Sequence, residues 1–483
     1  MKMYPEYGCT EEAPNDTIAA VATAMSTAGI GIIRVSGPDA VRICEGLYVN
    51  AKGLHDLASH APNTITFGYI EDETGNRVDE VMVSVFRAPH SYTTEDTVEI
   101  NSHGGIYLLE RILDLVLRAG ARMAEPGEFT KRAFLGGRID LSRAEAVMDL
   151  IASQNEFARR TAIGQLSGSI SEKVNELRSL LLYEMAFIES ALDDPDSYAG
   201  DLEGYPERLD GVCEKTLTQM EDLLEIGEKG AVLKEGIRTA IIGRPNAGKS
   251  SLLNYLAGAD RAIVTEIAGT TRDTLQESIR IRGISLRVTD TAGIRDTQDR
   301  VEKIGIERAK AAVSQSELVL YLLDASAGIT QEDQSIISLL HQWKEEAPAV
   351  RKCILLLNKS DLPPVTDSGQ VHSFFPEADA FLTCSLRTGE GADLLGDRIE
   401  KMYHMGELSH QSDVLFTNAR HREAVREACE SLQLVRQSIR AGMSEDFFAI
   451  DLMNAYASLG KITGDAVGDD LVEEIFSKFC MGK

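Results

Sequence analysis

Cysteine is sparse and scattered in this chain of 483 residues: there are seven, and none lies in a C-x-x-C spacing. Structural zinc clusters and disulfide frameworks need closer sets, so the pattern argues against both and favours a reducing compartment. There is no apolar run of the roughly 20 residues that a bilayer-spanning helix needs, and no apolar segment follows Lys2. We therefore expect a cytoplasmic protein with no signal peptide, no membrane contact, no zinc and no haem.

Basic residues are also in short supply. The 49 lysines and arginines stand against 76 acidic residues, which gives a formal net charge of −27. A surface of this sign repels phosphate backbones over most of its area. If the protein acts on nucleic acid, we expect a local basic patch or a partner protein to provide most of the attraction.

The character of the sequence changes along the chain. Residues from about 16 to 137 mix β-like runs such as GIGIIRVSG and EVMVSVF with one helical run, which is an α+β pattern. From 236 to about 400, the apolar runs RTAIIG, LVLYLLD, CILLLNK and AFLTCS alternate with helices, as in a parallel sheet with helical crossovers. Helical stretches on either side of this region carry apolar stripes. These stripes are Leu177, Leu181, Met185, Ile188 and Leu192, then Val425, Ala428, Leu432, Val435 and Ile439 before a stop at Gly442.

Each helical stretch needs a partner that buries its stripe, and the simplest solution is that the two pack on each other. The α/β unit between them is then an insertion into a helical domain. We predict a multidomain α+β and α/β protein with an N-terminal α+β domain over 1–137. The helical domain is predicted in two parts, 138–235 and 403–483, around an inserted domain with a parallel sheet over 236–402.

A phosphate-binding loop is predicted near the centre of the chain, at GRPNAGKSS (residues 243–251). Its G-x4-G-K-S spacing follows a predicted strand and precedes a predicted helix, which is the P-loop context. The glycines let backbone N–H groups turn toward a β-phosphate. Lys249 adds a positive charge between the β- and γ-phosphates, and Ser250 offers a hydroxyl to Mg²⁺.

Further motifs follow in the order expected of a GTPase. Asp290 of DTAG can hold the Mg²⁺ shell, and Gly293 can donate its N–H to a γ-phosphate. Asp361 of NKSD can accept two hydrogen bonds from guanine, a donor pair that adenine lacks. Backbone N–H groups of CSLR (384–387) can meet the guanine O6, and Thr271 of EIAGTTRD is the candidate for the second Mg²⁺ hydroxyl.

The residues predicted to bind GTP come from all five motifs. They are Asn246, Ala247, Gly248, Lys249, Ser250, Ser251, Thr265, Glu266, Ile267, Ala268, Gly269, Thr270, Thr271, Asp290, Thr291, Ala292, Gly293, Asn358, Lys359, Ser360, Asp361, Ser385, Leu386 and Arg387.

Two features of Ras-type enzymes are lacking. Ile294 follows DTAG where those enzymes place a glutamine that orients the attacking water. Another group must do so, and the nearby candidates are Asp296, Asp299 and Glu302. There is also no obvious arginine finger, so a monovalent cation could offset the transition-state charge.

Longer stretches of the sequence resemble the tRNA-modification GTPases of the MnmE (TrmE) type, from about residue 16 to the end. GRPNAGKSSLLN, IVTEIAGTTRDTL and DTAGIRDTQDRVEKIGIERA resemble the G domain of that family. GIGIIRVSG, EDTVEINSHGG and PGEFTKRAFLGGRIDLSRAEA resemble its N-terminal domain, and FCMGK resembles its C-terminal signature. The resemblance implies a P-loop GTPase domain inserted between the parts of the helical domain, and an N-terminal domain that binds folate.

The resemblance also implies roles for individual residues. Glu302 matches the glutamate that orients the attacking water, and Lys249 acts with it in catalysis. Ser250 and Thr271 match the magnesium ligands. The matches to potassium ligands are Asn246, Thr265, Ile267 and Thr270.

A folate site is implied at Arg34, Glu99, Arg138 and Lys483. A carboxylate can accept from the 2-amino group and N–H of a pterin, and cationic side chains can hold the glutamate tail. The ligand would be a reduced folate, either formyl- or methylene-tetrahydrofolate, that serves as one-carbon donor. Cys480 is implied to lie near the tRNA-modifying site and is a candidate catalytic residue.

The resemblance implies an enzyme that hydrolyses GTP and modifies C5 of the wobble uridine in certain tRNAs. The expected partners are a second copy of the chain, in a potassium-dependent G-domain dimer, and an MnmG-type flavoprotein that carries FAD, in a heterotetrameric or larger complex.

Three other hypotheses stay open. A ribosome-assembly GTPase acting as an RNA-associated switch would usually carry a basic RNA-binding domain, and none is visible. A stand-alone folate-dependent one-carbon transferase would work without tRNA. A GTP-binding scaffold without chemistry is disfavoured by the cation-ligand matches and Glu302.

Overall fold

The structure is a computed structural model that describes residues 16–194, 198, 203–259, 277–282, 284–288, 310–347, 351–403, 414–465, 467–479 and 482. The chain divides into two compact units. The first comprises Met1–Ile151, Ile163–Glu221 and Arg420–Lys483, and the second comprises Ala152–Ala162 and Asp222–Ala419. The four domain boundaries expected from the sequence stay a prediction.

The first unit begins with a seven-stranded sheet in the order β3-β4-β5-β6-β2-β1-β7. Its strands are β1 (Ile18–Val21), β2 (Ala28–Ser36), β3 (Tyr48–Asn50), β4 (Thr64–Glu71), β5 (Arg77–Phe86), β6 (Thr97–Gly104) and β7 (Arg122–Met123). Helices α1 (Ala40–Leu47) and α2 (Ile106–Arg118) pack against the sheet through a shared apolar core. Ile33 and Val35 of β2 enter this core, so the alternation of a strand turns Arg34 to the opposite face, paired in register with Glu99 of β6.

Helices follow the sheet. They are α3 (Glu128–Leu135), α4 (Leu141–Ile151), α5 (Glu156–Ser167), α6 (Ser169–Asp193) and α7 (Tyr205–Glu235). The predicted stripe of α6 is buried from Leu177 to Ile188, but Leu192 is 45% exposed. The prediction is wrong for Leu192, which lies in the last turn of α6, one residue before the helix ends at Asp193.

The second unit contains a six-stranded sheet in the order β13-β12-β11-β8-β10-β9. Its strands are β8 (Ile237–Gly243), β9 (Glu277–Ile281), β10 (Ile284–Val288), β11 (Leu318–Asp324), β12 (Lys352–Asn358) and β13 (Ala380–Thr383), and its helices are α8 (Lys249–Ala259), α9 (Gln331–Glu346), α10 (Ser368–Phe374) and α11 (Leu394–Met402). The four apolar runs predicted as strands are β8, β11, β12 and β13, and they pair in parallel, which confirms the predicted topology.

Apolar residues cover both faces of this parallel sheet. In β11, Leu320 and Leu322 enter one core, while Val319 and Tyr321 enter the other. Strands buried on both faces read as continuous apolar runs, which is why their sequence signal was strong. Because the strands are parallel, the loops that follow their carboxyl ends meet at one edge of the sheet.

The chain ends in α12 (Ala419–Arg440), α13 (Glu445–Thr463) and α14 (Asp469–Ser477). Helix α13 packs along α6, and Arg436 of α12 donates from Nε to Asp210 of α7 at 2.6 Å. The helices before and after the α/β unit therefore pack on each other, as predicted for an insertion. Within the parts of the chain that the structure describes, no helix has the length and apolar character to cross a membrane.

Candidate functional site

The loop between β8 and α8 has a shape that needs its two glycines. Gly243 has a φ of +150°, and a Cβ there would lie 2.5 Å from the Leu322 carbonyl oxygen. Gly248 has a φ of +111°, and its Cβ would lie 2.3 Å from Asn358 Nδ2. Asn246 between them also has a positive φ, of 63°, which asparagine tolerates better than most residues. The residues at 243 and 248 thus let the loop lie directly against β11 and β12.

Lys249 is already positioned in this loop. Its ammonium donates to the carbonyl oxygens of Gly243 at 2.7 Å and Arg244 at 2.9 Å. An ammonium group has three N–H donors, so two of them fix the side chain and one can point at a phosphate. Burial removes water from the Lys249 ammonium and so lowers its pKa. A phosphate anion bound beside the ammonium would favour its charged form and compensate for the lost hydration.

Asn358, the last residue of β12, joins the phosphate loop to the loop after β13. Its Nδ2 donates to the Ala247 carbonyl at 2.8 Å, and its Oδ1 accepts from the Leu386 N–H at 3.1 Å. The side chain is almost completely buried. One amide therefore holds together the two loops that the sequence assigns to phosphate and to guanine.

Asp361 lies in the loop after β12 with both carboxylate oxygens in use. Ser385 donates its hydroxyl to Oδ1 at 2.6 Å, and Arg387 contacts Oδ2 at 2.6 Å. The Ser385 hydrogen bond, with a smaller effect of Arg387, holds the pKa of the Asp361 carboxyl below its ordinary value. The carboxylate is thus ionised and can accept the N–H pair of guanine once the exposed Arg387 moves away.

The structure therefore brings together the phosphate loop and the loops that hold Asp361 and Ser385. Ser250 and Ser251 lie in the first turn of α8, and Lys359, two residues before Asp361, is paired with Asp324 at 2.6 Å. Ser360 lies between Lys359 and Asp361, and its N–H donates to the Cys384 carbonyl at 3.2 Å. The remaining residues of the predicted GTP and metal set lie outside the described residues, as do the catalytic candidates Glu302 and Cys480 and the folate candidate Lys483. That part of the set is Thr265, Glu266, Ile267, Ala268, Gly269, Thr270, Thr271, Asp290, Thr291, Ala292 and Gly293.

A second cluster forms on the first sheet. Arg34 donates to Glu99 Oε1 through Nε at 2.9 Å and lies 2.8 Å from it through Nη2. Arg34 also lies over the ring of Tyr92, 5.3 Å from its centroid, and Arg138 lies 4.8 Å from the same centroid. Two of the four predicted folate residues, Arg34 and Arg138, thus lie over one aromatic ring, and a third, Glu99, is paired with Arg34. The Gly482 carbonyl, next to Lys483, accepts from Arg34 at 3.4 Å.

Tyr92 is a site residue that the sequence did not reveal. Its carbonyl accepts from Arg138 at 3.1 Å, and its hydroxyl shares a hydrogen bond of 2.9 Å with Thr130 of α3. Its neighbour Thr93 is buried and hydrogen-bonded to Ser36 at 2.6 Å. These contacts fix the ring beneath the two guanidinium groups. The loop SYTTED that carries Tyr92 has no periodicity, and its polar composition was the only available signal.

Two family profiles match the chain. The profile described as "MnmE helical domain" matches residues 141–480, and that described as "GTP-binding protein TrmE N-terminus" matches residues 17–138. Among solved structures, the G domain of the T. maritima FeoB iron transporter is 20% identical, with a TM-score of 0.24, and covers 34% of this chain and 96% of that one.

Curated relatives match nearly the whole length. The tRNA modification GTPase MnmE of Lachnoclostridium phytofermentans is 46% identical over 471 residues, which are 97% of this chain and 99% of that protein. The protein of the same name from Alkaliphilus metalliredigens is 43% identical over 473 residues, again 97% of this chain and 99% of that protein. With identities of this size over 97% of its length, the chain belongs to the MnmE (TrmE) family of tRNA modification GTPases.

Proposed function

We propose that this protein hydrolyses GTP and uses that reaction, in the cytoplasm, to drive modification of C5 of the wobble uridine in certain tRNAs. The observation that carries the proposal is the Asn358 side chain, which joins the phosphate loop to the guanine loop beside an ionised Asp361. The relatives named tRNA modification GTPase support the tRNA substrate.

Guanine selectivity is proposed to rest on Asp361. A carboxylate accepts from both the N1–H and the 2-amino group of guanine, whereas an asparagine would present a donor at one of those positions. Asp361→Asn is therefore expected to lose GTP binding and to gain binding of xanthosine triphosphate, whose base carries a 2-carbonyl. Unchanged preference for GTP in a competition assay would remove the assigned role.

We also propose that magnesium and potassium act at the phosphate loop. Ser250 and Asn246 supply oxygen atoms on the exposed side of the loop, which suits hard cations, and Thr271, Thr265, Ile267 and Thr270 would complete the two shells. When bound, the cations offset negative charge on the phosphates. GTP hydrolysis should be several-fold faster in KCl than in NaCl of equal ionic strength, and equal rates would contradict the potassium site.

Glu302 is proposed to orient the attacking water. Glu302→Ala should then keep GTP affinity and lose turnover, while the neighbouring Asp299→Ala serves as a matched control that keeps both. Loss of turnover in the control but not in Glu302→Ala would transfer the role to the other carboxylate.

The cluster around Tyr92 is proposed to hold a reduced folate, which when bound supplies a one-carbon unit. The residues fit: Glu99 can accept from the pterin, the two guanidinium groups of Arg34 and Arg138 can hold an anionic tail, and Tyr92 offers an aromatic face. Lys483 would add a further cation, and Cys480 would lie near the uridine chemistry.

The proposed partners are a second copy of this chain and an MnmG-type flavoprotein that carries FAD. The net charge of −27 supports a partner that provides much of the contact with tRNA. A tagged protein recovered from cells should bring a flavoprotein with it, and cells without the gene should contain tRNA that lacks the wobble modification. A fully modified tRNA pool in those cells would refute the tRNA function.

A further inference from the structure

Arg244, the second residue of the phosphate loop, forms an ion pair with a carboxylate that lies outside the nucleotide-binding motifs. Its Nε lies 3.0 Å from Asp333 Oδ2, and its Nη2 lies 3.5 Å from the Gly328 carbonyl. The Asp333 side chain is fully buried, and that of Arg244 is 16% exposed. An ion pair with this little solvent is a fixed contact and not a fluctuating surface pair.

Asp333 is itself held in one orientation. Its Oδ1 accepts from the Tyr321 hydroxyl at 3.1 Å, and its Oδ2 accepts from the N–H and the hydroxyl of Thr330, each at 2.9 Å. Tyr321 belongs to the central strand β11, and Thr330 is the N-cap residue of α9. The position of the Asp333 carboxylate is therefore fixed by contacts with the sheet and with the start of α9.

The fixed Asp333 carboxylate can influence Lys249 through the backbone of Arg244. The Arg244 carbonyl is one of the two that accept from the Lys249 ammonium, and the other belongs to Gly243, which lies against β11. Holding the Arg244 side chain restricts where its Cα can lie, and so limits movement of the Arg244 carbonyl, one of the two contacts that aim Lys249. The ordinary alternative is that the pair only stabilises the fold.

We propose that Arg244 is a positioning residue, which transmits the fixed position of Asp333 to Lys249 and so sets the affinity of the loop for nucleotide phosphates. The inference deepens the proposed function and depends on it, because it names how the same GTP site is held ready. The matched variants are Arg244→Met and Arg244→Lys, which have similar length and differ in charge. A lysine can replace the single Nε contact as a point charge, although it cannot replace a bidentate one.

The test is a titration of the full-length protein with a fluorescent GDP analogue, which gives both the dissociation constant and the number of sites per chain. Arg244→Met should weaken GDP binding by about tenfold, as loss of one charged hydrogen bond implies. Arg244→Lys should stay within about threefold of the unmodified protein. The number of sites should not change in either variant.

A control ion pair lies at the opposite end of β8, the strand that precedes the phosphate loop. Arg238 of β8 donates to Glu317 Oε1 at 2.9 Å, away from the phosphate loop, and Arg238→Met should leave GDP affinity unchanged. A role in folding alone would reduce the number of sites in Arg244→Met and leave the affinity of the remaining sites intact, which would overturn the inference. Equal affinities of Arg244→Met and the unmodified protein would do the same. If the unmodified protein bound no GDP, the proposed function would fail together with this inference.

Discussion

Replacement of Asn358 by alanine tests whether the phosphate and guanine loops depend on each other. The variant removes two hydrogen bonds, one to the Ala247 carbonyl and one from the Leu386 N–H. At about 1 kcal/mol for each bond, the joined arrangement of the loops loses about 2 kcal/mol relative to arrangements in which they separate. This changes the equilibrium constant between joined and separated loops by a factor of about 30, which is the largest factor by which the population competent to bind can fall.

The measurable result is a weaker affinity for GDP. The apparent dissociation constant rises as the competent fraction falls, so Asn358→Ala should bind GDP between about 5- and 30-fold more weakly. Equilibrium titration with a fluorescent GDP analogue gives this value, and it also counts the sites per chain, which should be unchanged.

Thr366→Ala provides a matched control for this experiment. Thr366 and Asn358 are each 3% exposed, and the Thr366 hydroxyl donates to the Ala327 carbonyl at 2.7 Å without contacting the phosphate loop. The control should lower the free energy of unfolding by about 1 kcal/mol and leave GDP affinity intact. If both variants weakened binding equally, or if Asn358→Ala bound GDP like the unmodified protein, the reasoning about joined loops would be refuted.

Three further predictions concern other parts of the molecule. Gly248→Ala should abolish binding in the same GDP titration, because its left-handed φ and a contact of 2.3 Å forbid a Cβ. In Glu145, burial alone would raise the carboxyl pKa, but His421 and Arg420 outweigh it and hold the pKa at about 2 in place of 4.5. The destabilisation by Glu145→Gln in urea unfolding should thus be full, about 3 kcal/mol, above pH 4.5 and should shrink as the pH falls toward 2. Tyr92→Ala should weaken binding of a reduced folate, measured by calorimetry, about tenfold, whereas Tyr92→Phe keeps the ring and loses only the hydrogen bond to Thr130, so its loss of affinity should be smaller. Equal affinity in all three proteins would exclude the ring from the site.

The parallel sheet and its nucleotide loops could be predicted because local patterns and topology agree. Each buried strand is a continuous apolar run, and the chain places a polar motif directly after β8, β12 and β13. Parallel pairing then brings these motifs to one edge without any knowledge of side-chain packing. The apolar stripe of α6 was predictable from its helical spacing, except that Leu192, in the last turn of the helix, is exposed.

The cluster around Tyr92 could be predicted only in part. Arg34 and Glu99 came from resemblance to a family, and their pairing depends on the register of β2 against β6, which no local pattern specifies. Tyr92 itself depends on a hydrogen bond to Thr130 of α3 and on burial of the adjacent Thr93. Contacts between distant segments of this kind leave no periodic trace in the sequence.

Asp333 shows how a local rule can describe a residue correctly and still miss its main role. Together with Thr330 it forms a capping box at the start of α9, and loss of such a cap ordinarily costs about 1 kcal/mol. Here the same carboxylate also accepts from Tyr321 and Arg244, so its removal leaves a buried hydroxyl and a largely buried guanidinium without that partner. Removal of one member of a buried ion pair costs about 3–5 kcal/mol, well above the value for a cap. The long-range contacts, and not the cap, therefore determine how much the stability of the fold depends on this residue.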